Sequence, residues 1–219
     1  MGKDVRVSVT AHDPASVLDA LERADRFLVQ QVFKPIANEY RFSIPAPGTT
    51  NEGEPLLYVK QKKMKIKEDI RFRLTPDEGP HLFMIKSKSV FEFRGRHEVL
   101  DAEGQVIGLL EKDFGRSLVR SHWRIRDSAG TELFESHETS WFVALLRRFA
   151  DVASDWLSPL AWLPFNFVLR RQGEPVGSYK RILGTFRDRY LLELEPGLED
   201  VDRRLVLAFA VALDALQDR

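Results

Sequence analysis

Apolar residues recur along this chain in two rhythms, and the longest departure from both lies near its end. The run Leu205-Val206-Leu207-Ala208-Phe209-Ala210-Val211-Ala212-Leu213 contains no polar side chain. A helix that is apolar all round has to be buried all round, in protein or in lipid. Spanning a bilayer takes about 20 apolar residues, and this run is far shorter. The pattern therefore predicts a helix over 199–217 that is enclosed by protein. Nearly everything before it reads as short strands, so the predicted enclosure is a β-barrel closed around that helix.

The period-two rhythm places the strands. Phe27 to Phe33 is rich in apolar and aromatic residues, and Tyr40-Arg41-Phe42-Ser43-Ile44 alternates. Pro45 to Pro55 reads as a loop from its Pro, Gly, Asn and Thr content. Strands are then predicted from Leu57 to Lys62, from Ile70 to Leu74, from Leu82 to Lys86 and from Val90 to Phe93. A repeat follows. His97-Glu98-Val99-Leu100, Asp101-Ala102-Glu103-Gly104 and Gln105 to Leu110 return as Trp123-Arg124-Ile125-Arg126, Asp127-Ser128-Ala129-Gly130 and Thr131 to Phe134. A looser copy runs Phe165 to Leu169, Arg170-Arg171-Gln172-Gly173 and Glu174 to Ser178. Each unit reads as a strand, a tight turn with glycine where a positive φ is needed, and a second strand. Arg116 to Arg126 and Thr185 to Leu194 supply further strands. Hairpins at this spacing favour a closed antiparallel barrel over a parallel sheet.

Two earlier segments follow the helical period. Asp13-Pro14 pairs a capping side chain with proline at the first helical position, and Val17, Leu18 and Leu21 share one face, so a short helix is expected to about Ala24. Phe142, Leu145, Leu146, Phe149, Val152, Ala153, Trp156 and Leu157 recur at i, i+3, i+4 and i+7. They predict an amphipathic helix within 141–158, packed on the barrel exterior. The domain reading is an N-terminal extension over 1–26 and a single barrel domain over 27–219.

Tyr58-Val59-Lys60-Gln61-Lys62, Lys65-Ile66-Lys67-Glu68-Asp69-Ile70 and Leu82-Phe83-Met84-Ile85-Lys86 resemble the LURP-one-related and phospholipid scramblase-like proteins. So do Arg94-Gly95-Arg96-His97-Glu98-Val99-Leu100-Asp101-Ala102-Glu103-Gly104-Gln105-Val106-Ile107-Gly108 and the hydrophobic last helix. The resemblance covers Phe27 to Leu216 and groups the chain with the tubby C-terminal domain. It implies a mainly β fold, a closed antiparallel barrel of about twelve strands around a central C-terminal helix. It also implies work at lipid. Tubby domains bind phosphoinositides through basic residues, scramblases are described as calcium-dependent lipid movers, and plant LURP-one proteins are linked to defence. The scramblase calcium segment has no match here: Glu193 to Asp202 is acidic but lacks the alternating Asp/Asn pattern of a calcium loop. Glu199, Asp200 and Asp202 are instead expected to complement the helix N-terminus.

Composition narrows the classes. The 219 residues are 43% hydrophobic, enough for one sizeable core. Thirty-three basic side chains face 33 acidic ones, so only a local patch can select a charged partner. There is no cysteine, which excludes disulfides, thiolate metal sites and cysteine nucleophiles. Met1-Gly2-Lys3-Asp4-Val5-Arg6 leads into no apolar core of a signal peptide. The expected location is the cytoplasm, free or peripheral to a membrane, with no transmembrane span.

The candidate site is the basic stretch, with Lys60, Lys62, Lys65, Lys67, Arg71 and Arg73 as its residues. Lysines on neighbouring strands can converge on a phosphate headgroup, and arginine grips phosphate bidentately. Lys86, Lys88, Arg94 and Arg96 follow on later segments. The structural alternative is a solvated strand face whose lysines deter edge pairing. Nucleic acid is not the expected partner, because stacking aromatics are absent from the basic residues and Phe72 alternates towards the core. Trp141, Trp156 and Trp162 offer a contact surface for a protein partner. His97, His122 and His137 read as ordinary strand histidines, and neither a metal nor a cofactor is expected. No nucleophile elbow, zinc-protease helix or phosphate-binding glycine loop is present, so catalysis is not expected. The functional reading is a non-catalytic module binding anionic phospholipid or membrane surfaces. Its alternative is a protein-interaction or structural module without a lipid ligand.

Overall fold

The computed structural model describes residues 13–33, 37–53, 55–62, 69–76, 79–86, 95–112, 122–138, 166–182 and 188–215. They form α1 (Pro14–Arg23), β1 (Arg26–Phe33), β2 (Ala37–Ser43), β3 (Pro55–Lys62), β4 (Ile70–Arg73), β5 (His81–Ile85) and β6 (Arg96–Asp101). β7 (Val106–Lys112), β8 (His122–Asp127), β9 (Glu132–Glu138), β10 (Asn166–Arg171), β11 (Glu174–Ile182), β12 (Asp188–Leu194) and α2 (Arg203–Ala215) follow. Every strand pairs antiparallel with its sequence neighbours, and β1 pairs with β12 to close the barrel. Closure leaves no edge strand exposed.

Alternation sets which side chain goes where. Phe27 and Val29 on β1, Tyr40 and Phe42 on β2, Leu57 and Val59 on β3 and Ile70 and Phe72 on β4 all join one buried cluster. Phe72 stacks on Phe83 with ring centroids 4.1 Å apart and meets Phe42 at 5.8 Å. Residues Leu205 to Leu213 of α2 are at most 2% exposed, so the helix is buried on every side, as its composition demands. Phe209 meets Trp123, Phe134 and Phe167 edge-on at 6.3 to 6.5 Å, on β8, β9 and β10 respectively. Edge-to-face pairs of this kind add about 0.5–1.5 kcal/mol each beyond burial. On β7, a Cβ added to Gly108 would stand 2.7 Å from the Leu205 methyl carbons, so glycine there lets helix and sheet approach closely.

The first two repeat units fold alike. Asp101 Oδ1 accepts the Gln105 amide at 2.7 Å, Asp127 Oδ1 accepts the Thr131 amide at 2.8 Å, and Gly104 and Gly130 take φ of 82° and 88°. The looser third unit lacks the aspartate and turns in two residues, Gln172 and Gly173, with φ of 52° and 89°. Two successive positive φ values make the mirror-image turn whose twist suits a hairpin.

The N-terminus of α1 agrees with the capping chemistry: Asp13 accepts the Ser16 amide at 3.1 Å and Pro14 opens the helix. The last helix begins at Arg203, four residues later than the pattern predicts. Gly197 has φ 93°, and Leu198 and Val201 turn inward and are buried. Their carbonyls accept from the Arg203 guanidinium at 2.6 and 3.1 Å, so this segment caps the helix rather than joining it. Asp202 accepts the Arg204 amide at 2.8 Å and is the capping residue. Asp200 is not at the helix end: both its oxygens grip Arg171, at 2.6 and 3.1 Å. The expected amphipathic helix in 141–158 and the strand at 90–93 lie outside the described residues.

Candidate functional site

The basic stretch falls on β3 and β4, where alternation divides it. Leu57, Val59, Ile70 and Phe72 point into the core, which sends Tyr58, Lys60, Arg71 and Arg73 to the outer face. Lys60 and Arg71 are exposed, while Tyr58 and Arg73 are half-buried. Lys62 ends β3 opposite Ala37, and Lys65 and Lys67 lie outside the described residues.

Register brings in residues that the linear pattern does not single out. Arg41 of β2 stands opposite Tyr58, Tyr58 opposite Arg73, and Arg73 opposite His81 of β5. Glu39 stands opposite Lys60. An open depression lies between these side chains, lined by Arg41, Tyr58, Lys60, Arg73 and Thr75 among others. Arg41 was readable as an outward strand residue, since Tyr40 and Phe42 beside it are apolar; its place beside Tyr58 depends on the pairing of β2 with β3. Tyr58 and His81 carry no charge signal and were missed for that reason.

The charges on this face are unevenly paired. Arg73 is fixed over the turn that follows its strand, its Nε donating to the Gly79 carbonyl at 3.1 Å. Arg71 is 3.5 Å from the Asp69 carboxylate. The Arg41 and Lys60 side chains make no hydrogen bond or ion pair with another described residue. Elsewhere on the barrel, cations meet carboxylates closely: Arg26 with Glu193 at 3.0 Å, Arg126 with Glu111 at 2.9 Å, and Arg181 with Asp188. Of the later basic residues, Lys86 is exposed after β5, and Arg96 is 3.5 Å from Glu111. Lys88 and Arg94 lie outside the described residues.

His81 records the field of this cluster. Its Nε2 is buried and has no hydrogen-bond partner among the described residues. Burial, then the Arg71 and Arg73 charges, hold its pKa below the ordinary histidine value, with Asp69 opposing them. The other histidines are arranged differently. His122 and His137 face each other across β8 and β9, His122 Nε2 lies 3.0 Å from Glu135 Oε2, and His97 is on β6. Among the described residues no three metal-ligating side chains form a group. No helix of the described residues is long and apolar enough to cross a membrane. Val106 is the one large hydrophobic side chain exposed among them, and Trp141, Trp156 and Trp162 lie outside them.

Compared with known proteins, residues 56–214 match the family model described as LURP-one-related. No curated protein and no solved structure matches the chain.

Proposed function

The chain belongs to the LURP-one-related family, and we propose that it is a non-catalytic module whose outer face on β2 to β5 binds anionic phospholipid headgroups at a membrane surface. The observation that carries this reading is the pair of cations Arg41 and Lys60, whose side chains have no ion-pair partner among the described residues, held beside Arg73 around an open depression. Each basic residue near an anionic membrane contributes about 1 kcal/mol, so a few such side chains give reversible, peripheral attachment. Glu39 and Asp69 offset part of that attraction. A solvated face that serves only to deter edge pairing has less to explain here, because the closed barrel leaves β3 and β4 paired on both sides. The feature is a charged surface rather than an acid and a base meeting in a cleft, which is why the reading is non-catalytic.

Sedimentation of the full chain with vesicles tests it. Binding is expected to vesicles containing phosphatidylglycerol and not to pure phosphatidylcholine, and to weaken steeply with salt as exposed charges are screened. Binding that ignores salt, or no binding to either vesicle, would overturn it.

A further inference from the structure

The outer basic face contains one group that electrostatic attachment leaves unused. His81 opens β5 opposite Arg73, with its Nε2 buried and unpaired among the described residues. What would satisfy that nitrogen depends on a proton. A neutral ring can present a lone pair there, whereas a charged ring carries N–H on both nitrogens. The surrounding groups decide between the two forms. From the β4 side, Arg71 and Arg73 oppose a charge on the ring and Asp69 favours one. Towards β6, the nearest charged register position is Asp101, opposite Phe83. Burial and two guanidinium groups outweigh the carboxylate, so the ring is kept neutral near pH 7.

We propose that a phosphate group seated on Arg71 and Arg73 is bound together with a proton taken up by His81, which makes this face a proton-linked anion site. The inference rests on the membrane reading only for the source of the phosphate, a lipid headgroup; the chemistry needs the phosphate alone. An anion there cancels the arginine field that excludes a charge from the imidazole, and it offers the acceptor that a protonated Nε2 lacks. The coupling is reciprocal. The factor by which the anion raises proton affinity is the factor by which the proton raises anion affinity. A rise of about one pKa unit on binding corresponds to about tenfold tighter binding at the acidic end of the range. His81 carries more proton in the bound state, so binding tightens as pH falls through the histidine range and weakens as it rises.

Two measurements on the full chain test this. The first is vesicle binding at about pH 5.5 and about pH 8 with phosphatidylglycerol, whose phosphodiester keeps its charge across that range. Binding about five- to tenfold tighter at the lower pH is expected, with the ratio collapsing towards one in His81→Gln. The second follows the His81 ring by NMR through a pH titration, with and without inorganic sulfate as a probe of fixed charge. The ring is expected to titrate below ordinary histidine alone and to move upward with sulfate. Vesicle binding indifferent to pH, or equally pH-dependent in His81→Gln, overturns the linkage and leaves the membrane reading standing. Absence of vesicle binding together with an upward shift in sulfate overturns the membrane source and upholds the site. A His81 titration that sulfate does not move overturns the site.

Discussion

Arg203 carries the heaviest structural demand on a single side chain. It sits at the first turn of α2, only 4% exposed, and donates through Nε to the Ala24 carbonyl at 3.0 Å and through Nη2 to Asp25 at 2.8 Å. Nη1 donates to the Leu198 and Val201 carbonyls at 2.6 and 3.1 Å. One guanidinium therefore fastens the junction of α1 and β1 to the loop that enters the last helix. Its position works against it, since a cation at a helix N-terminus opposes the macrodipole. The hydrogen bonds must outweigh both that and the desolvation of the charge.

Arg203→Met tests whether they do. The substitution keeps an apolar stem and removes every donor, leaving three carbonyls and the Asp25 carboxylate to find other partners. Asp25 is exposed enough to be rescued by water, so the cost falls on the three buried carbonyls; each one left without its donor costs about 1–3 kcal/mol, and about 3–5 kcal/mol is expected for the set after relaxation. For a chain of this size each kcal/mol moves the melting temperature by about 2–4 °C, so a fall of roughly 6–20 °C is expected in a thermal melt followed by circular dichroism. Arg203→Lys should fall between, because an ammonium reaches some acceptors but cannot reproduce the planar fork. Asp25→Asn should lose little, about 1 kcal/mol or less, because that carboxylate is 44% exposed. The competing argument is that a buried charge replaced by a well-packed apolar side chain is often neutral or stabilising. Arg203→Met melting within about 2 °C of the parent would support that argument and refute ours.

Three further substitutions probe the fold. Ala210→Asp places an unpaired carboxylate in the most buried stretch of α2 and should destabilise by several kcal/mol; an unchanged thermal melt would sink the buried-helix reading. Gly108→Ala puts a Cβ 2.5 Å from the Arg126 carbonyl and 2.7 Å from Leu205, and overpacking of this kind costs about 1–3 kcal/mol, read as a lower urea midpoint at unchanged slope. Asp200 is held below the ordinary carboxylate pKa chiefly by its hydrogen bonds from Arg171. The stability it adds is therefore present above the unfolded-state pKa and lost as pH falls through the folded one. Asp200→Asn should cost under about 1 kcal/mol at pH 7, and that deficit should fade as pH falls from the unfolded-state pKa through the lower folded one; a deficit that persists in strong acid would contradict the assignment.

Much of the architecture is legible in the sequence, because its signals are local and agree with one another. The apolar run in α2 admits only full burial, and alternation with glycine turns admits little besides antiparallel hairpins. Glycine at 104 and 130 marks the turns because no other residue type takes those angles as readily. Arg203 was not legible. Nothing local distinguishes it from Arg204, whose guanidinium pairs with Asp202 two positions away. Its partners Ala24 and Asp25 are 179 and 178 residues distant. The helix start was misplaced for the same reason: residues 199–202 have no helix-breaking signal of their own, and what bends them is the burial of Leu198 and Val201 against the rest of the barrel.

The candidate site shows the same limit, and it yields a prediction that separates two ways of reading a basic stretch. Read along the chain, the signal is the basic stretch from Lys60 to Arg73. A sheet surface is built across strands, however. Neighbouring strands lie about 4.8 Å apart, whereas the next outward residue on the same strand is about 6.8 Å away. A headgroup resting near Tyr58 therefore meets Arg41 on one side and Arg73 on the other. Arg41 is 19 positions before Lys60 and belongs to no basic run. If the transverse arrangement makes the site, Arg41→Glu should weaken binding to phosphatidylglycerol vesicles as much as Lys60→Glu. Reversing one charge changes it by two units, about 2 kcal/mol near an anionic surface, or roughly thirtyfold in affinity. Parallel melts would confirm that both variants remain folded. Arg41→Glu binding within about twofold of the parent while Lys60→Glu loses affinity would show that the linear run makes the site. The depression around Tyr58 would then have no part in it.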